Sequence, residues 1–276
     1  MNKRIKTATA LSIAGSDCSG GAGIQADLKT FAAHGVYGMC VITSVVAENT
    51  VRVIEYQDLR PGIIEQQIDA VFEDIPPDAV KIGMLSCRET MLSVAEKIRQ
   101  YAMRNIVLDP VMYAKNGAPL MDPESIDTLI RVVAPLVDVI TPNIPEAENM
   151  AKMPIACEDD MKEAARRIRA MGCGAALIKG GHGAGEAKDI LFDGREFYCY
   201  TAPRLETKHT HGTGCTFSSS IAANLALGLP LQRALERSKA YISGAIAHAP
   251  GLGRGSGPTH HFYDLYKHGL ADSGPV

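Results

Sequence analysis

The segment from residue 209 to residue 218, His-Thr-His-Gly-Thr-Gly-Cys-Thr-Phe-Ser, contains the residues best suited to chemistry. Gly212 and Gly214 allow the backbone to approach a ligand, and the small and apolar residues that follow predict a helix ending before Gly228. The first turn of a helix exposes unpaired N–H groups at the positive end of the helix dipole. The segment therefore predicts an anion site, most simply for phosphate, and an ordinary loop-to-helix junction is the alternative.

Polar side chains also recur where short apolar strands are expected to end. These residues are Glu48, Asp109, Asn143, Glu146 and Lys179. Open α/β sheets bind ligands at the carboxyl ends of their strands, so these side chains should meet the 212–215 turn. Carboxylates and an amide suit a magnesium shell, and a lysine and backbone amides suit phosphate, which together are the parts that phosphoryl transfer needs. Each residue taken alone also fits a turn or a cap.

Apolar strand-length segments alternate with amphipathic segments through residues 8–180, and the pattern predicts the fold. Strands are predicted at 8–14, 39–47, 51–56, 79–85, 105–109, 137–140, 175–179, 189–192 and 196–200, and helices at 24–34, 61–72, 89–103, 123–134, 158–171 and 231–247. The 89–103 helix should bury Leu92, Ala95 and Ile98. This order predicts an α/β fold with a mainly parallel sheet and helices on both faces, plus a hairpin at Asp193-Gly194.

Length and charge limit the class of protein. The chain has 276 residues and a formal net charge of -3, so no basic face for nucleic acid is indicated. With no linker, repeat or low-complexity segment, the simplest interpretation is a single domain over residues 1–276. No apolar run reaches transmembrane length, and the basic start lacks the apolar length of a signal peptide, so a cytoplasmic protein that binds no membrane is expected.

The seven cysteines are odd in number and form no CxxC pair, which indicates neither a disulfide framework nor a zinc knuckle. Cys215 is the exception whose position favours chemistry, because it lies in the predicted anion turn. The histidine pairs His209/His211 and His260/His261 lack the ligand spacing of usual zinc sites.

A second glycine-rich segment, residues 15–23, follows the first strand. It is neither a Walker A motif nor a G-x-G-x-x-G motif. Asp27, in the helix that follows, either faces a ligand or is a first-turn acid favoured by the helix dipole, and the sequence alone favours the second. Residues 113–121 contain an Asn116-Gly117 turn and form either a flap over a site or a plain connection.

Seven segments of the chain, in the same order, closely resemble the hydroxymethylpyrimidine/phosphomethylpyrimidine kinases of thiamine biosynthesis. They are residues 14–17, 19–30, 46–50, 81–85, 141–143, 179–182 and 210–216. That family belongs to the ribokinase-like superfamily. The resemblance implies a three-layer α/β/α sandwich and a homodimer. It also implies two ATP-dependent steps, which phosphorylate 4-amino-5-hydroxymethyl-2-methylpyrimidine to its monophosphate and then to the diphosphate.

The resemblance also implies roles for single residues. Glu48 falls where the family contacts the pyrimidine edge, and a carboxylate there suits a ring amino group, which is a hydrogen-bond donor. Four further positions correspond to the lining of the substrate pocket: Gly15, Asp27, Met84 and Val111.

The same resemblance implies which residues bind ATP and its metal ion. The Asn143-x-x-Glu146 motif falls where the superfamily organises Mg²⁺ and the triphosphate of ATP, and Asp109 lies near that metal. Lys179 would reach the phosphates. Thr213 and Gly214 would contribute to the ATP site through the anion turn.

The wider superfamily usually carries an aspartate base at the position of Cys215. The resemblance implies that this family, like a related class of bacterial pyridoxal kinases, carries cysteine there instead. A free thiol titrates at about 8.5. Its pKa falls at a helix N-terminus and rises beside an incoming triphosphate. The hypothesis is that Cys215 orients or deprotonates the substrate hydroxyl, while the amides of Gly212, Thr213 and Gly214 stabilise the transferred phosphoryl group.

Two other functions remain as alternatives. A pyridoxal kinase of the same superfamily is the nearest, but the pyridoxal-type members carry a flap cysteine that residues 113–117 lack, and they lack the signature at residues 47–50. A non-catalytic vitamin-binding domain is the other, and the retained polar residues at the strand ends argue against it.

Overall fold

The computed structural model describes residues 6–113, 120–181 and 186–268, and nine strands within them form one sheet. The strands are β1 (Thr9–Asp17), β2 (Tyr37–Glu48), β3 (Val53–Asp58), β4 (Ala79–Ile82), β5 (Ile106–Leu108), β6 (Val139–Ile140), β7 (Ala175–Lys179), β8 (Ala187–Phe192) and β9 (Phe197–Ala202). Their spatial order is β3-β2-β1-β4-β5-β6-β7-β8-β9. The six strands from β2 to β7 in that order pair in parallel. At the edges, β3 pairs antiparallel with β2, β8 pairs antiparallel with β7, and β9 pairs antiparallel with β8. The predicted mainly parallel sheet and the hairpin are confirmed.

Helices fill the connections that parallel strands require. They are α1 (Gly23–Ala33), α2 (Pro61–Asp74), α3 (Arg88–Gln100), α4 (Pro123–Thr128), α5 (Ile144–Ala151), α6 (Glu158–Arg169), α7 (Thr213–Ala226), α8 (Leu231–Ala247) and α9 (Tyr263–His268). None of the helices in the described part of the chain is both long enough and apolar enough to cross a membrane.

Two apolar clusters lie on opposite faces of the sheet, because successive strand residues point to opposite sides. On one face, strand residues such as Ile13 and Ile82 pack with α2, α3, α5 and α6. On the other face, residues such as Ala10 and Val107 pack with Phe31 of α1 and with α7 and α8. The central strands are therefore buried on both sides, and the three-layer α/β/α sandwich is confirmed.

The strand order reverses at β1, which lies between β2 and β4. Such a reversal opens a crevice at the carboxyl ends of the strands, where α/β proteins bind ligands. The parallel register continues past those ends and aligns the residues that follow. Four backbone hydrogen bonds of 2.9 Å do this: Gly83 N to Ile13 O, Asp109 N to Ile82 O, Thr141 N to Leu108 O, and Lys179 N to Pro142 O.

Several predicted helices differ in detail from the structure. In α3, Ala95 and Ile98 are buried as predicted, but Leu92 is 41% exposed and Met91 is buried in its place. The predicted 123–134 helix is α-helical only to Thr128 and continues as a π-helical turn and a 3₁₀ turn, where Pro135 supplies no N–H to continue the α pattern. The short helices α5 and α9 were not predicted. Residues 114–119, the centre of the predicted flap, lie outside the described residues.

Candidate active site

The segment before α7 forms a tight turn that only glycine can make. Gly212 is the N-cap of α7 with φ of 74°, and a Cβ there would lie 1.7 Å from the carbonyl oxygen of Gly21. The first helical hydrogen bond runs from Thr216 N to Gly212 O over 2.8 Å. The N–H groups of Gly214 and Cys215 precede that bond and have no acceptor within the helix, so they are free to bind an anion.

A cavity of about 830 Å³ opens beside this turn. Every site residue predicted from the sequence except Asp27 lines it: Gly15, Glu48, Met84, Asp109, Val111, Asn143, Glu146, Lys179, Gly212, Thr213, Gly214 and Cys215. The parallel register explains this convergence, since it brings the strand ends to one edge of the sheet. The volume is within the range of small-molecule sites.

Lys179 and Asp109 form an ion pair on the wall of this cavity. The Lys179 ammonium lies 2.7 Å from Asp109 Oδ1, and Thr141 and Ser218 also approach the carboxylate. Burial by itself would lower the pKa of Lys179. The negative charges of Asp109 and then Glu146 raise it by more, so the pKa lies above its usual value. The lysine is therefore positively charged at neutral pH. It also lies close to the anion turn, because a Cβ on Gly214 would be 3.5 Å from its nitrogen.

Glu146 and Asn143 form a capping box at the start of α5. Glu146 N donates to Asn143 Oδ1 over 3.0 Å, and Asn143 N donates to Glu146 Oε2 over 2.8 Å. Burial raises the pKa of Glu146 to about 7, with Lys179 lowering it and Asp109 raising it further. Two buried carboxylates that repel each other in this way fit a divalent cation, whose charge would relieve the repulsion.

Asp27 does not lie where the sequence prediction places it. Its carboxylate is completely buried and accepts hydrogen bonds from Ser12 (2.5 Å), Lys81 (2.8 Å) and Ser219 (2.6 Å), so it lies behind the cavity wall. The prediction that Asp27 lines the pocket is wrong for this structure. Its buried partner Lys81 lies in one of the segments that carry the family resemblance, but it was not predicted as a site residue, because lysine side chains are normally exposed.

The electrostatics of Cys215 also differ from the sequence expectation. Burial raises the pKa of its thiol to about 11, and the neighbouring carboxylates of Asp27 and Asp109 add to the rise, while Lys81 and a hydrogen bond from the Gly23 backbone oppose it. Desolvation thus outweighs the helix N-terminus, which was expected to lower the pKa. The thiol is protonated at neutral pH.

A cluster of Asp17, Glu48 and His211 lies at the other end of the cavity, with potential ligand atoms within 4.8 Å of one another. Asp17 accepts a 2.9 Å hydrogen bond from His211, and although burial opposes it, this bond and backbone donors lower the pKa of Asp17 to about 2. Burial raises the pKa of Glu48 to about 7, and the Asp17 charge adds to the rise. Glu48 is therefore close to half-ionised at neutral pH.

Several charged cavity residues were not predicted from the sequence, among them Asp17, His211, Asp189 and Lys239. Asp17 is the last residue of β1, just as Asp109 directly follows β5. The rule that ligands bind at the carboxyl ends of the strands located Asp109, and it applies to Asp17 as well. Asp189 and Lys239 form a buried ion pair of 2.6 Å between β8 and α8. Lys239 lies in the middle of a helix, where no local pattern marks it as part of a site.

Comparisons with known proteins agree with this geometry. The phosphomethylpyrimidine kinase family model matches residues 17–260. A hydroxymethylpyrimidine/phosphomethylpyrimidine kinase of Rhizobium meliloti is 49% identical over 95% of this chain and 99% of its own. A thiamine biosynthesis bifunctional protein of Geobacter sulfurreducens is 50% identical over 91% of this chain, and the chain spans about half (51%) of that relative's length.

Solved structures agree as well. A phosphomethylpyrimidine kinase of Clostridium difficile has a TM-score of 0.79 and 48% identity, over 87% of this chain and 100% of that chain. An ADP complex of Bacillus subtilis pyridoxal kinase has a TM-score of 0.87 and 37% identity, over 95% and 100%. The fold and the site together define a small-molecule kinase with the ribokinase-like fold. Within that class, the chain belongs to the phosphomethylpyrimidine kinase family.

Proposed function

We propose that this protein transfers the γ-phosphoryl group of ATP to the hydroxymethyl group of 4-amino-5-hydroxymethyl-2-methylpyrimidine, and then a second phosphoryl group to the monophosphate, in thiamine biosynthesis. The observation that carries the proposal is the anion turn at Gly212–Cys215, which shares one cavity with the Lys179–Asp109 pair and with Glu48. One end of that cavity suits phosphate and the other suits an aminopyrimidine. Family membership specifies the substrate.

The pyrimidine would lie at the Glu48 end. The carboxylate of Glu48 can accept a hydrogen bond from the ring amino group, a pairing that pyridoxal cannot offer because it has no such group. Gly15, Met84 and Val111 supply the apolar wall against which a flat ring packs. A Cβ at Gly15 would lie 3.4 Å from the Met84 sulfur, so glycine keeps the ring slot open.

The triphosphate would lie between the start of α7 and Lys179. The N–H groups of the turn point at the transferred phosphoryl group, and the Lys179 ammonium neutralises charge on the same oxygens. Such fixed donors cost no reorganisation during the reaction, so they stabilise the transition state more than mobile water does. Asn143 lies beside them at the cap of α5.

Mg²⁺ is the metal that these carboxylates fit, because hard oxygen ligands and a phosphate chain are its usual partners. Asp109 and Glu146 would hold it, directly or through water. Bound there, the ion would supply positive charge to the phosphate chain. The protein's own part is to hold both carboxylates facing the cavity, and the Lys179 charge acts to lower the pKa of Glu146.

Cys215 would orient the acceptor hydroxyl. The transition state of phosphoryl transfer is loose, so the hydroxyl proton need not leave before the oxygen attacks. A protonated thiol fits that role better than the role of general base. The attacking oxygen forms the new P–O bond as the bond to the β-phosphate oxygen breaks, ADP leaves, and the hydroxyl proton is released to water.

A homodimer is part of the proposal. The hairpin β2–β3 at the edge of the sheet exposes Val45 (49%), Ile54 (61%) and Tyr56 (42%), which is apolar surface that a second copy could cover. Sedimentation analysis of the purified protein tests this point.

A phosphate-transfer assay tests the function. The protein is given ATP and Mg²⁺ with the pyrimidine alcohol, its monophosphate or pyridoxal, and kcat/KM is compared. We expect both pyrimidines to be phosphorylated with higher kcat/KM than pyridoxal. A higher kcat/KM on pyridoxal would instead support a pyridoxal kinase, which the structural similarity to the Bacillus subtilis enzyme makes the second candidate. ATP use without transfer to any of the three would contradict both.

A further inference from the structure

Two loops that are distant in the sequence meet at the start of α7. The glycine-rich loop, residues 18–23, follows β1, and the phosphate turn, residues 210–215, precedes α7. We propose that Asp17 and His211 are positioning residues that hold the phosphate turn against the glycine-rich loop, so that its amides and the Cys215 thiol face the acceptor hydroxyl. This inference rests on the proposed function and names the residues that assemble its site.

Asp17 organises both loops through one carboxylate. Its Oδ2 accepts from Gly21 N (3.0 Å), Ala22 N (2.8 Å) and His211 Nε2 (2.9 Å), and its Oδ1 accepts from Ser19 N (2.7 Å). The carboxylate is 2% exposed and ionised, so it can only accept. The proton must therefore lie on Nε2 of His211. Hydrogen bonds to a buried charge are among the stronger ones, and four converge here.

The two loops also touch without room for side chains. A Cβ on Gly21 would lie 2.4 Å from the His211 ring, and a Cβ on Gly212 would lie 1.7 Å from Gly21 O. On the other side, the Gly23 backbone acts on the Cys215 thiol and favours its ionised form, against the effect of burial. The two loops are thus in close contact around the Asp17–His211 hydrogen bond, and the glycine-rich loop also lies near the Cys215 thiol.

His211 is well placed to transmit this anchoring to the turn. Its backbone N–H donates to Gly257 O over 3.0 Å, and a single residue, Gly212, separates it from the first residue of α7. Gly212 has φ of 74°, a conformation that glycine leaves easily. The side-chain bond to Asp17 therefore restrains a hinge that the backbone alone leaves soft. Without it, the amides of the turn would move relative to the phosphate chain.

The same pair lies beside the pyrimidine end of the cavity. The Asp17, Glu48 and His211 side chains approach within 4.8 Å of one another, so the anchor of the phosphate turn is next to the carboxylate proposed to bind the ring. Among the described residues, Glu48 from β2 and His211 from the turn are titratable groups that interact with the Asp17 carboxylate. Ring binding and phosphate positioning thus share one rigid corner of the site.

The test uses His211→Phe, which keeps the ring but removes the donor, and His211→Gln, which keeps a donor. The control is His34→Phe, because His34 Nε2 makes a comparable 2.9 Å hydrogen bond to Ser220 in a part of the chain that does not line the cavity. Melting temperatures of all variants show that they fold. Two readouts follow, one of which needs no substrate.

The first readout is the rate at which iodoacetamide alkylates Cys215, followed by mass spectrometry of the tryptic peptide 209–233, which contains a single cysteine. We expect His211→Phe to raise this rate at least about tenfold, as loss of a hydrogen bond to a charged group implies. His211→Gln and His34→Phe should stay near wild type. A wild-type rate in folded His211→Phe, or an equal rise in His34→Phe, would overturn the inference.

The second readout is pyrimidine phosphorylation. His211→Phe should lower kcat about 30- to 100-fold, because a displacement near 1 Å in a reacting site has effects of that size. The KM for the pyrimidine should change less than about threefold, and His211→Gln should recover most of kcat. A rise in KM with kcat unchanged would show that His211 binds the ring, against a positioning role. A wild-type protein inactive on pyrimidines but with the expected alkylation rates would sink the proposed function and leave the anchoring intact.

Discussion

The Lys179 ammonium lies 2.7 Å from Asp109 Oδ1, and both groups face Gly214 across the start of α7. The lysine ends β7 and the aspartate follows β5, with β6 between them. The pair therefore spans three strands and closes the phosphate end of the cavity. In the proposed function, this position makes the lysine cation available to the phosphate chain of ATP.

Replacing Lys179 with Met should reduce both activity and stability. Removing one member of a mostly buried ion pair leaves an unpaired charge, so the free energy of unfolding should fall by about 3 kcal/mol. We expect kcat to fall about 100- to 1000-fold, as for loss of one transition-state donor. Steady-state kinetics and urea unfolding measure the two effects. The matched control is Lys97→Met, which breaks the 2.7 Å Lys97–Asp69 pair away from the cavity and should lower stability only. If kcat were equal in Lys179→Met and Lys97→Met, Lys179 would have no role in phosphoryl transfer.

Gly214→Ala should weaken nucleotide use without unfolding the protein. A Cβ there would lie 3.1 Å from Asp109 Oδ2 and 3.5 Å from the Lys179 nitrogen, in the space proposed for phosphate. We expect kcat/KM for ATP to fall at least about tenfold, because a crowded cradle misplaces the phosphates. Gly62→Ala in α2 is the control, since a Cβ there meets nothing within 4 Å. If Gly214→Ala matched the control in kcat/KM, the turn would not bind the triphosphate.

Cys215 variants separate an orienting thiol from a general base. Loss of a general base typically costs about 100- to 10,000-fold in rate. Because the pKa of this thiol is raised to about 11, Cys215→Ala should lower kcat only about tenfold, and Cys215→Asp should retain activity as well. Single-turnover rates at several pH values measure this. A fall beyond about 1000-fold for Ala with recovery in Asp would establish proton abstraction, and wild-type rates in both would remove any role for the thiol.

The pH dependence of pyrimidine binding should report on Glu48. Its pKa is raised by burial to about 7, so the carboxylate that is proposed to accept a hydrogen bond from the ring amino group forms as the pH rises through that value. The KM for the pyrimidine should therefore fall between about pH 6 and pH 8. In Glu48→Gln this step should disappear and KM should rise about tenfold, since a charged hydrogen bond becomes a neutral one.

The same residue predicts a stability change with a definite sign. A carboxyl whose folded pKa is about 7 binds a proton that the unfolded chain, with its value of 4.5, has already lost. Its contribution to stability therefore falls as the pH rises from 4.5 to 7. Glu48→Gln should raise the melting temperature relative to wild type at pH 8 and have less effect at pH 5. An opposite trend in thermal unfolding would mean that burial does not govern this group.

The order of the elements, the mainly parallel sheet and the anion turn were all determined by the sequence alone. The reason is that these features are local: hydrophobic period sets each element, and glycine followed by a helical segment sets the turn. Strand-end residues such as Glu48, Asp109 and Lys179 were also predictable, because a parallel sheet brings strand ends to one edge. Short or irregular elements such as α5 and the π-helical turn after Thr128 were not predictable, because they are too short to show a hydrophobic repeat.

The electrostatics of the site were decided by the tertiary structure. Asp17 and His211 stand 194 residues apart and meet only when the first and last loops of the site pack together. Asp27 of α1 is held behind the cavity wall by its ion pair with Lys81 of β4, and Cys215 is a weaker acid because burial outweighs its helix terminus. Desolvation and long-range pairing depend on which atoms surround a group in the folded chain. Residue types and their spacing do not contain that information.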